Sequence, residues 1–117
     1  MKKYLAIGLA AAGLAFSAFP QEPRMANFSL IEYQENRAVV RNGYAYQNGK
    51  DLVVRVHGIA EETFFDRGSD GTADGYCIRE GRNGNCATLE TNPVPAPKAK
   101  AYRDEIYGAA MRALKSE

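Results

Sequence analysis

Three aspartates recur at every fourth position between residues 66 and 74. A calcium loop places carboxylates at its first, third, fifth and often ninth positions, a backbone carbonyl at the seventh and a glycine at the sixth. If Asp66 is the first position, Asp70 is the fifth, Gly71 the sixth, Thr72 the seventh and Asp74 the ninth. The spacing therefore predicts a Ca²⁺ site formed by Asp66, Asp70, the Thr72 carbonyl and Asp74.

In this stretch the sequence resembles the short Asp/Asn/Gly calcium loops of dockerins, EF-hands and thrombospondin-type repeats. The third position is Gly68, which has no side chain, and the twelfth is Cys77 in place of a bidentate glutamate. The resemblance implies about four protein ligands, so water, Ser69 or Glu62 would complete the shell of a weak site, about 0.1 to 1 mM. A bare loop is the alternative, because Asp, Gly and Ser are also ordinary turn residues.

Cys77 and Cys86 are the two cysteines of the chain. Outside the cytoplasm such a pair usually forms a disulfide. A reactive thiol or a metal thiolate is the competing interpretation, but His57 is the one histidine and the spacing is not C-x-x-C. A turn at residues 81–82 would place the two cysteines opposite each other, whereas a turn at 83–84 would hold them too far apart. We therefore expect a Cys77–Cys86 disulfide and the first of these turns.

Residues suited to catalysis do not form a recognisable set. His57 is the general-base candidate of the usual kind. No serine or cysteine has the local context of an activated nucleophile, and no Gly-rich phosphate loop is present in the sequence. Glu61 and Glu62 are adjacent, so on a strand their carboxylates face opposite ways. We expect a protein that is not an enzyme.

The N-terminus predicts export. Two lysines precede an uncharged, mostly apolar run from residue 5 to 19, and small Ala15 and Ser17 fit a cleavage before Ala18. This is the pattern of a signal peptide, assigned to residues 1–18. The run is shorter than the roughly 20 residues that span a bilayer, although an uncleaved anchor is the alternative. We expect a periplasmic or secreted protein without a membrane span after cleavage.

The net charge and the size of the chain limit the classes of partner that it is expected to bind. The formal net charge is +1, and the loss of two lysines with the leader leaves one basic residue fewer than the 14 acidic ones. A near-neutral chain lacks the electrostatic footprint of a nucleic-acid binder. About 100 residues remain, enough for one domain. The expected partner is another protein or an envelope component.

Alternating apolar residues predict an α+β fold, a small antiparallel β-meander of four to five strands with one C-terminal helix packed on one face. A lead-in at residues 19–26 contains two prolines and is expected to be extended and exposed. The predicted strands are 28–33, 38–46, 50–57, 62–66 and 75–80, with 86–91 as a further candidate.

Asn48-Gly49 lies between two β-rich runs and predicts a type I′ hairpin turn. Such a turn pairs Ala45 with Leu52 and Gly43 with Val54. Because side chains alternate along a strand, the apolar residues of one strand share a face with small residues of the other. A helix can approach such a face closely. That face carries Gly43, Ala45, Leu52, Val54 and Val56, and the other carries Tyr44, Tyr46, Val53, Arg55 and His57.

The C-terminal part divides into a connector and a helix within the domain at 27–117. Prolines 93, 95 and 97 predict a stiff, extended segment over residues 92–97. Apolar residues at helical spacing predict a helix over residues 98–115, whose stripe is too broad for a free helix in water. The helix should therefore dock on the sheet.

Two functional classes agree with these patterns. One is a small exported binding or accessory protein that uses its tyrosines as contact residues, since tyrosine is common among interface anchors. The other is an exported structural or stress-related protein without a ligand site. A contiguous exposed surface at Tyr44 and Tyr46 favours the first class. Burial of both under the helix or the N-terminal segment favours the second.

Overall fold

The computed structural model describes residues 23–79 and 86–116. Its five strands form one antiparallel sheet in sequential order, followed by a short 3₁₀ turn and a C-terminal helix. The predicted α+β meander with one docked helix is therefore confirmed. The signal peptide at 1–18 and the two alternative turns at 81–84 lie outside the described residues. The strands are β1 (Arg24–Gln34), β2 (Arg37–Asn48), β3 (Asp51–Val56), β4 (Glu61–Asp66) and β5 (Gly75–Arg79).

The first hairpin is longer than predicted. Strand β1 begins at Arg24, so residues 24–26 of the expected lead-in belong to the sheet, where Ala26 is buried opposite Ala45. Glu35 and Asn36 both have positive φ and form the two-residue turn to β2. Two positive φ values are the signature of a type I′ turn, which matches the twist of the strands.

The second hairpin differs from the prediction by two residues. Asn48 pairs with Asp51, so the turn residues are Gly49, at φ 65°, and Lys50. One positive φ, at a glycine in the first turn position, is typical of a type II′ turn. A shift of two residues returns every side chain to the same face, because the strand period is two. The predicted faces are therefore confirmed although the predicted register is wrong.

The helix-side face of the sheet carries the hydrophobic core. Leu52, Val54 and Val56 of β3 are fully buried, and Phe64 of β4 packs beside them. The helix covers these residues with an apolar stripe that follows its length. The helical members of the core are Tyr102, Ile106, Ala110 and Leu114.

The C-terminal helix starts earlier than predicted and is not uniform. It comprises α1 (Ala96–Ala101), a wider π-helical turn (Tyr102–Ile106) and α2 (Tyr107–Lys115). Pro97 lies in the first turn, where a missing N–H costs no hydrogen bond, so the extended connector ends at Pro95. The N–H of Tyr107 bonds to the carbonyl of Tyr102, five residues earlier.

Residues 86–91 do not form the further strand considered above. Residues 87–88 are a turn and Leu89–Thr91 is a 3₁₀ turn. This segment packs against β4 and β5, and the Leu89 carbonyl occupies the space that a Cβ at residue 75 would need. Gly75 therefore permits a close crossing of backbones in place of strand pairing.

Candidate functional site

Asp66 is a fully buried carboxylate at the end of β4. Its Oδ1 accepts the N–H of Asp70 at 3.1 Å, and its Oδ2 accepts the N–H of Gly71 at 3.0 Å and the hydroxyl of Tyr102 at 2.7 Å. A buried charge requires such donors, since its desolvation is otherwise unfavourable. Asp66 therefore folds the loop that follows it around its own carboxylate.

The other two predicted ligands lie beside Asp66. A carboxylate oxygen from each of Asp66, Asp70 and Asp74 falls within 4.8 Å of the other two, and Asp70 and Asp74 are exposed. Asp74 Oδ2 accepts the N–H of Arg67 at 2.6 Å, and Asp70 Oδ1 accepts the N–H of Thr72 at 2.9 Å. The three aspartates thus form a cluster that can hold a metal ion.

The supplementary ligands considered above do not join this cluster. The Ser69 hydroxyl donates to the Lys50 carbonyl at 2.6 Å and accepts from the Gln47 amide at 3.0 Å. Glu62 lies towards the other end of β4 and bonds to Arg41. Further ligands for an ion would therefore be backbone carbonyls or water.

Burial raises the pKa of Asp66, although hydrogen bonds from Tyr102 and the backbone of Gly71 oppose that rise. The exposed Asp70 has a lowered pKa, chiefly because the N–H of Thr72 bonds to its carboxylate. Burial and the neighbouring Asp66 raise the pKa of the Tyr102 hydroxyl, which therefore stays protonated as a donor. The cluster consists of one buried carboxylate and two solvated ones.

Helical spacing places Tyr102 and Tyr107 in the apolar stripe of the helix and gives no sign of what their hydroxyls bind. Tyr102 donates to Asp66, and Tyr107 donates to the Ser69 carbonyl at 2.7 Å. Residues five apart diverge in a regular α-helix, but the π-helical turn at 102–106 brings these two rings to 6.0 Å. The helix therefore holds the acidic loop at two points.

A second polar cluster surrounds Glu62, which is 5% exposed. Its Oε1 accepts Lys98 Nζ and the Tyr76 hydroxyl, both at 2.6 Å, and its Oε2 accepts Arg41 Nη1 at 2.9 Å. Arg41 also bonds to Glu32 and to the carbonyls of the β3–β4 turn. A cleft of about 150 Å³ adjoins this cluster, between Leu30 and the start of the helix.

The Glu62 cluster is internally satisfied. Burial alone would raise the pKa of Glu62, but hydrogen bonds from Lys98, Tyr76 and Arg41 hold it below the ordinary value. Burial would lower the pKa of Arg41, but Glu62 and Glu32 raise it. Each charged group already has a partner. Because Lys98 belongs to the helix and Glu62 to β4, the cluster joins the helix to the sheet.

Glu61 and Glu62 face opposite ways, as the sequence predicts. Glu61 lies 3.3 Å from His57 Nδ1 and 3.8 Å from Arg55, on the face away from the helix. His57 is about half exposed at the end of β3. This small surface ion-pair group is separate from the Glu62 cluster.

The outer face of the first hairpin, opposite the helix, carries several exposed apolar residues among polar, uncharged ones. Met25, Ile31, Tyr33 and Val40 are 53%, 59%, 78% and 62% exposed. Directly paired residues share a face, and Ile31 pairs with Val40 while Met25 pairs with Tyr46. The name "outer apolar strip" is used below for six residues of this face: Met25, Ile31, Tyr33, Val40, Tyr44 and Tyr46.

Tyr44 and Tyr46 are half-buried within this strip. They alternate with Gly43 and the fully buried Ala45, so the helix does not cover them. By the same alternation, the helix-side face carries the charged residues of the hairpin, which are Arg24, Glu32, Arg37 and Arg41. In β1 and β2 the outer face consists of uncharged residues alone: Met25, Asn27, Ser29, Ile31, Tyr33, Ala38, Val40, Asn42, Tyr44, Tyr46 and Asn48.

Cys77 and Cys86 form the predicted disulfide, with their Cα atoms 5.5 Å apart. It ties β5 to the segment that crosses the sheet at residues 86–91. Disulfides are typical of oxidising compartments outside the cytoplasm. Over residues 23–79 and 86–116, the structure contains no helix with the length and apolar character to cross a membrane.

No family model, curated protein sequence or solved structure matches this chain significantly.

Proposed function

We propose that this chain is a small exported, non-catalytic binding or accessory protein that contacts a protein partner through the outer apolar strip. The uncharged outer face of β1 and β2 carries this proposal. Charged residues are depleted at the centres of protein interfaces, where aromatic residues and methionine are enriched. Tyr33, Tyr44 and Tyr46 would supply amphipathic contact area.

The strip differs from an ordinary solvated sheet face. Antiparallel sheets that face water on one side usually alternate apolar and polar residues. Here Ile31, Val40 and Tyr33 are exposed beyond the last β2–β3 pair, which joins Gly43 to Val56. Large exposed apolar surfaces usually mark interaction sites. Here the polar Ser29–Asn42 pair divides the strip into two parts, one around Ile31 and one around Met25.

The remaining polar groups favour binding over catalysis. Glu62 is held by three donors, and His57 pairs with Glu61 at the surface. Neither arrangement leaves a base beside a nucleophile. The disulfide and the predicted leader support export to the periplasm or the medium.

Capture of partners from the organism's own envelope and culture fluid tests this proposal. The Ile31→Glu/Val40→Lys variant places opposite charges on a cross-strand pair, which maintains the hairpin while it destroys the apolar surface. A Lys100→Glu/Asp104→Lys variant exchanges an exposed helical ion pair and serves as the control. We expect the strip variant to lose a partner that the wild type and the control retain. Equal recovery by all three, or no specific partner, would favour the structural or stress-related alternative.

A second role concerns the acidic loop. The proximity of Asp66, Asp70 and Asp74 supports a weak Ca²⁺ site that stabilises the loop, with the Thr72 carbonyl as a further ligand. Oxygen ligands suit this hard cation, and few protein ligands imply affinity in the range of extracellular modules. Thermal melts with about 10 mM Ca²⁺ and with chelator test it. An unchanged melting midpoint would contradict a calcium site in this loop.

A further inference from the structure

Strand β1 forms an open edge of the sheet. The strand order is sequential, so β2 flanks β1 on one side and none of the described strands flanks it on the other. All residues from Arg24 to Gln34 pair with β2 in unbroken register. Edge strands are commonly protected by charged residues, proline or a bulge. Strand β1 has no lysine, proline or bulge, and its two charged residues, Arg24 and Glu32, lie towards its ends. Within residues 23–79 and 86–116 this edge has no paired strand and is available to another one.

The outward backbone groups of β1 follow from the neighbouring strands. His57 N–H bonds to the Asn42 carbonyl at 2.8 Å, so Asn42 directs its backbone towards β3. Successive residues of a strand direct their backbone groups to opposite sides, so Gly43 faces β1, where its partner is Phe28. Phe28 therefore faces β2, and its neighbours Asn27 and Ser29 face outward, as do Met25 and Ile31.

The side chains of β1 are complementary to those of a second, antiparallel β1. With a two-fold axis at Phe28, Met25 lies opposite Ile31 of the second copy, and Asn27 lies opposite Ser29. The two charged residues of β1, Arg24 and Glu32, also lie opposite each other across the axis. Each pair thus joins opposite charges, two apolar groups or two polar groups, which are favourable cross-strand combinations.

Neighbouring registers lose this match. An axis at Ser29 places Glu32 opposite Ala26 and Ile31 opposite Asn27. An axis at Leu30 places Glu32 opposite Phe28. An axis at Asn27 places Arg24 opposite Leu30. These four axes keep the outward hydrogen-bonding groups facing each other, but the Phe28 axis alone among them matches both the charges and the exposed apolar residues.

We propose that β1 pairs with β1 of a second copy of this chain, about a two-fold axis at Phe28, to form one continuous sheet. A perpendicular two-fold axis keeps both helices on one face and both outer apolar strips on the other. Met25 of one copy then meets Ile31 of the other, which joins the two strips. This inference rests on the edge and its register and does not depend on the proposed partner of the strip.

The path of the helix sets where the two helices lie in such a dimer. Its first turns lie near β4, where Lys98 contacts Glu62, and its last turn reaches β1, where Arg24 bonds to the Leu114 carbonyl. The helix therefore crosses the sheet diagonally, its second segment packs against β1, and its last turn meets the edge at Arg24. Because Arg24 lies opposite Glu32 of the second copy, the two helix ends fall at opposite ends of the seam.

The test uses the mature chain with its native disulfide intact. Two single variants, Asn27→Cys and Ser29→Cys, each add one thiol at an exposed edge position. Opposed residues of a hydrogen-bonded pair have Cα atoms about 5.5 Å apart, within disulfide range. We expect a cross-linked dimer when the two variants are mixed and oxidised, and none from either variant alone. Sedimentation of the wild type should show a mass that doubles as concentration rises.

Each result has a defined meaning. Cross-linking of Ser29→Cys alone, or of Asn27→Cys alone, would contradict the Phe28 axis. A dimer without the mixed cross-link would place the contact elsewhere and contradict the β1 seam, and a monomer at all concentrations would contradict the pairing itself. Circular dichroism should show that both variants fold. An Asn27→Pro variant removes one outward N–H, which edge strands tolerate, and should remain monomeric.

Discussion

The Tyr102 hydroxyl donates a 2.7 Å hydrogen bond to Oδ2 of the fully buried Asp66, across 36 positions of sequence. This bond connects the helix to the loop that carries the acidic cluster. The Tyr102 ring also stacks on Phe64, with centroids 5.1 Å apart, so the same side chain belongs to the core. Loop geometry and core packing are therefore coupled through one residue.

Tyr102→Phe should lower the free energy of unfolding by about 1–3 kcal/mol, because a buried carboxylate loses a donor while the ring contacts remain. Tyr107→Phe is the matched control, since its hydroxyl donates to an uncharged, partly buried carbonyl. Its effect should be about 1 kcal/mol or less. Urea unfolding at neutral pH measures both values. If both variants lost the same small amount of unfolding free energy, the Tyr102–Asp66 hydrogen bond would not be a major contribution to stability.

Asp70→Asn should abolish any increase in melting temperature that Ca²⁺ produces, because it removes one of the two solvated carboxylates of the cluster. Without Ca²⁺ the variant should melt no lower than the wild type, because the substitution removes a negative charge that lies next to Asp66. Glu105→Gln, on the exposed helix surface, is the control. A full calcium response in Asp70→Asn would contradict the predicted ligand set.

Glu62→Gln should reduce stability at neutral pH by about 2 kcal/mol. This lies below the 3–5 kcal/mol expected on breaking a fully buried pair, because Lys98 is partly exposed. The folded pKa of Glu62 is lowered from 4.5, so its contribution is complete above that value and is lost as pH falls through the folded pKa. The difference between wild type and variant should therefore shrink below about pH 4.5.

The pH series must separate Glu62 from Asp66. Burial raises the pKa of Asp66 from 3.8, so stability from this group increases as pH falls through its folded value, opposite in sign to Glu62. Subtraction of the Glu62→Gln curve from the wild-type curve isolates the Glu62 contribution. A difference that stays constant down to about pH 3 would contradict the assignment.

Alkylation of the native chain without prior reduction should add no mass, because Cys77 and Cys86 are bonded to each other. The Cys77→Ser/Cys86→Ser variant should be less stable by about 2.5 kcal/mol on the chain-entropy account of so short a loop. Two labels per unreduced chain would rule the bridge out.

The meander and its faces were predictable because strand alternation and turn residues are local. The hairpin register was not, because Asn48-Gly49 and Gly49-Lys50 both offer a glycine and the choice depends on tertiary packing. Residues 86–91 have the composition of a strand but lie across Gly75, a contact with no local signal. Sequence spacing likewise found the three aspartates but missed Tyr102, because a π-helical turn leaves no simple periodic pattern.

The most direct test of the central proposal is photo-cross-linking from the outer apolar strip in living cells. A photoreactive phenylalanine analogue at Tyr33, at the exposed end of the strip, would be compared with the same analogue at Arg112, which is exposed on the helix. We predict a discrete adduct with a second protein from position 33 and none from position 112. Adducts from neither position, or equally from both, would contradict binding through the outer apolar strip.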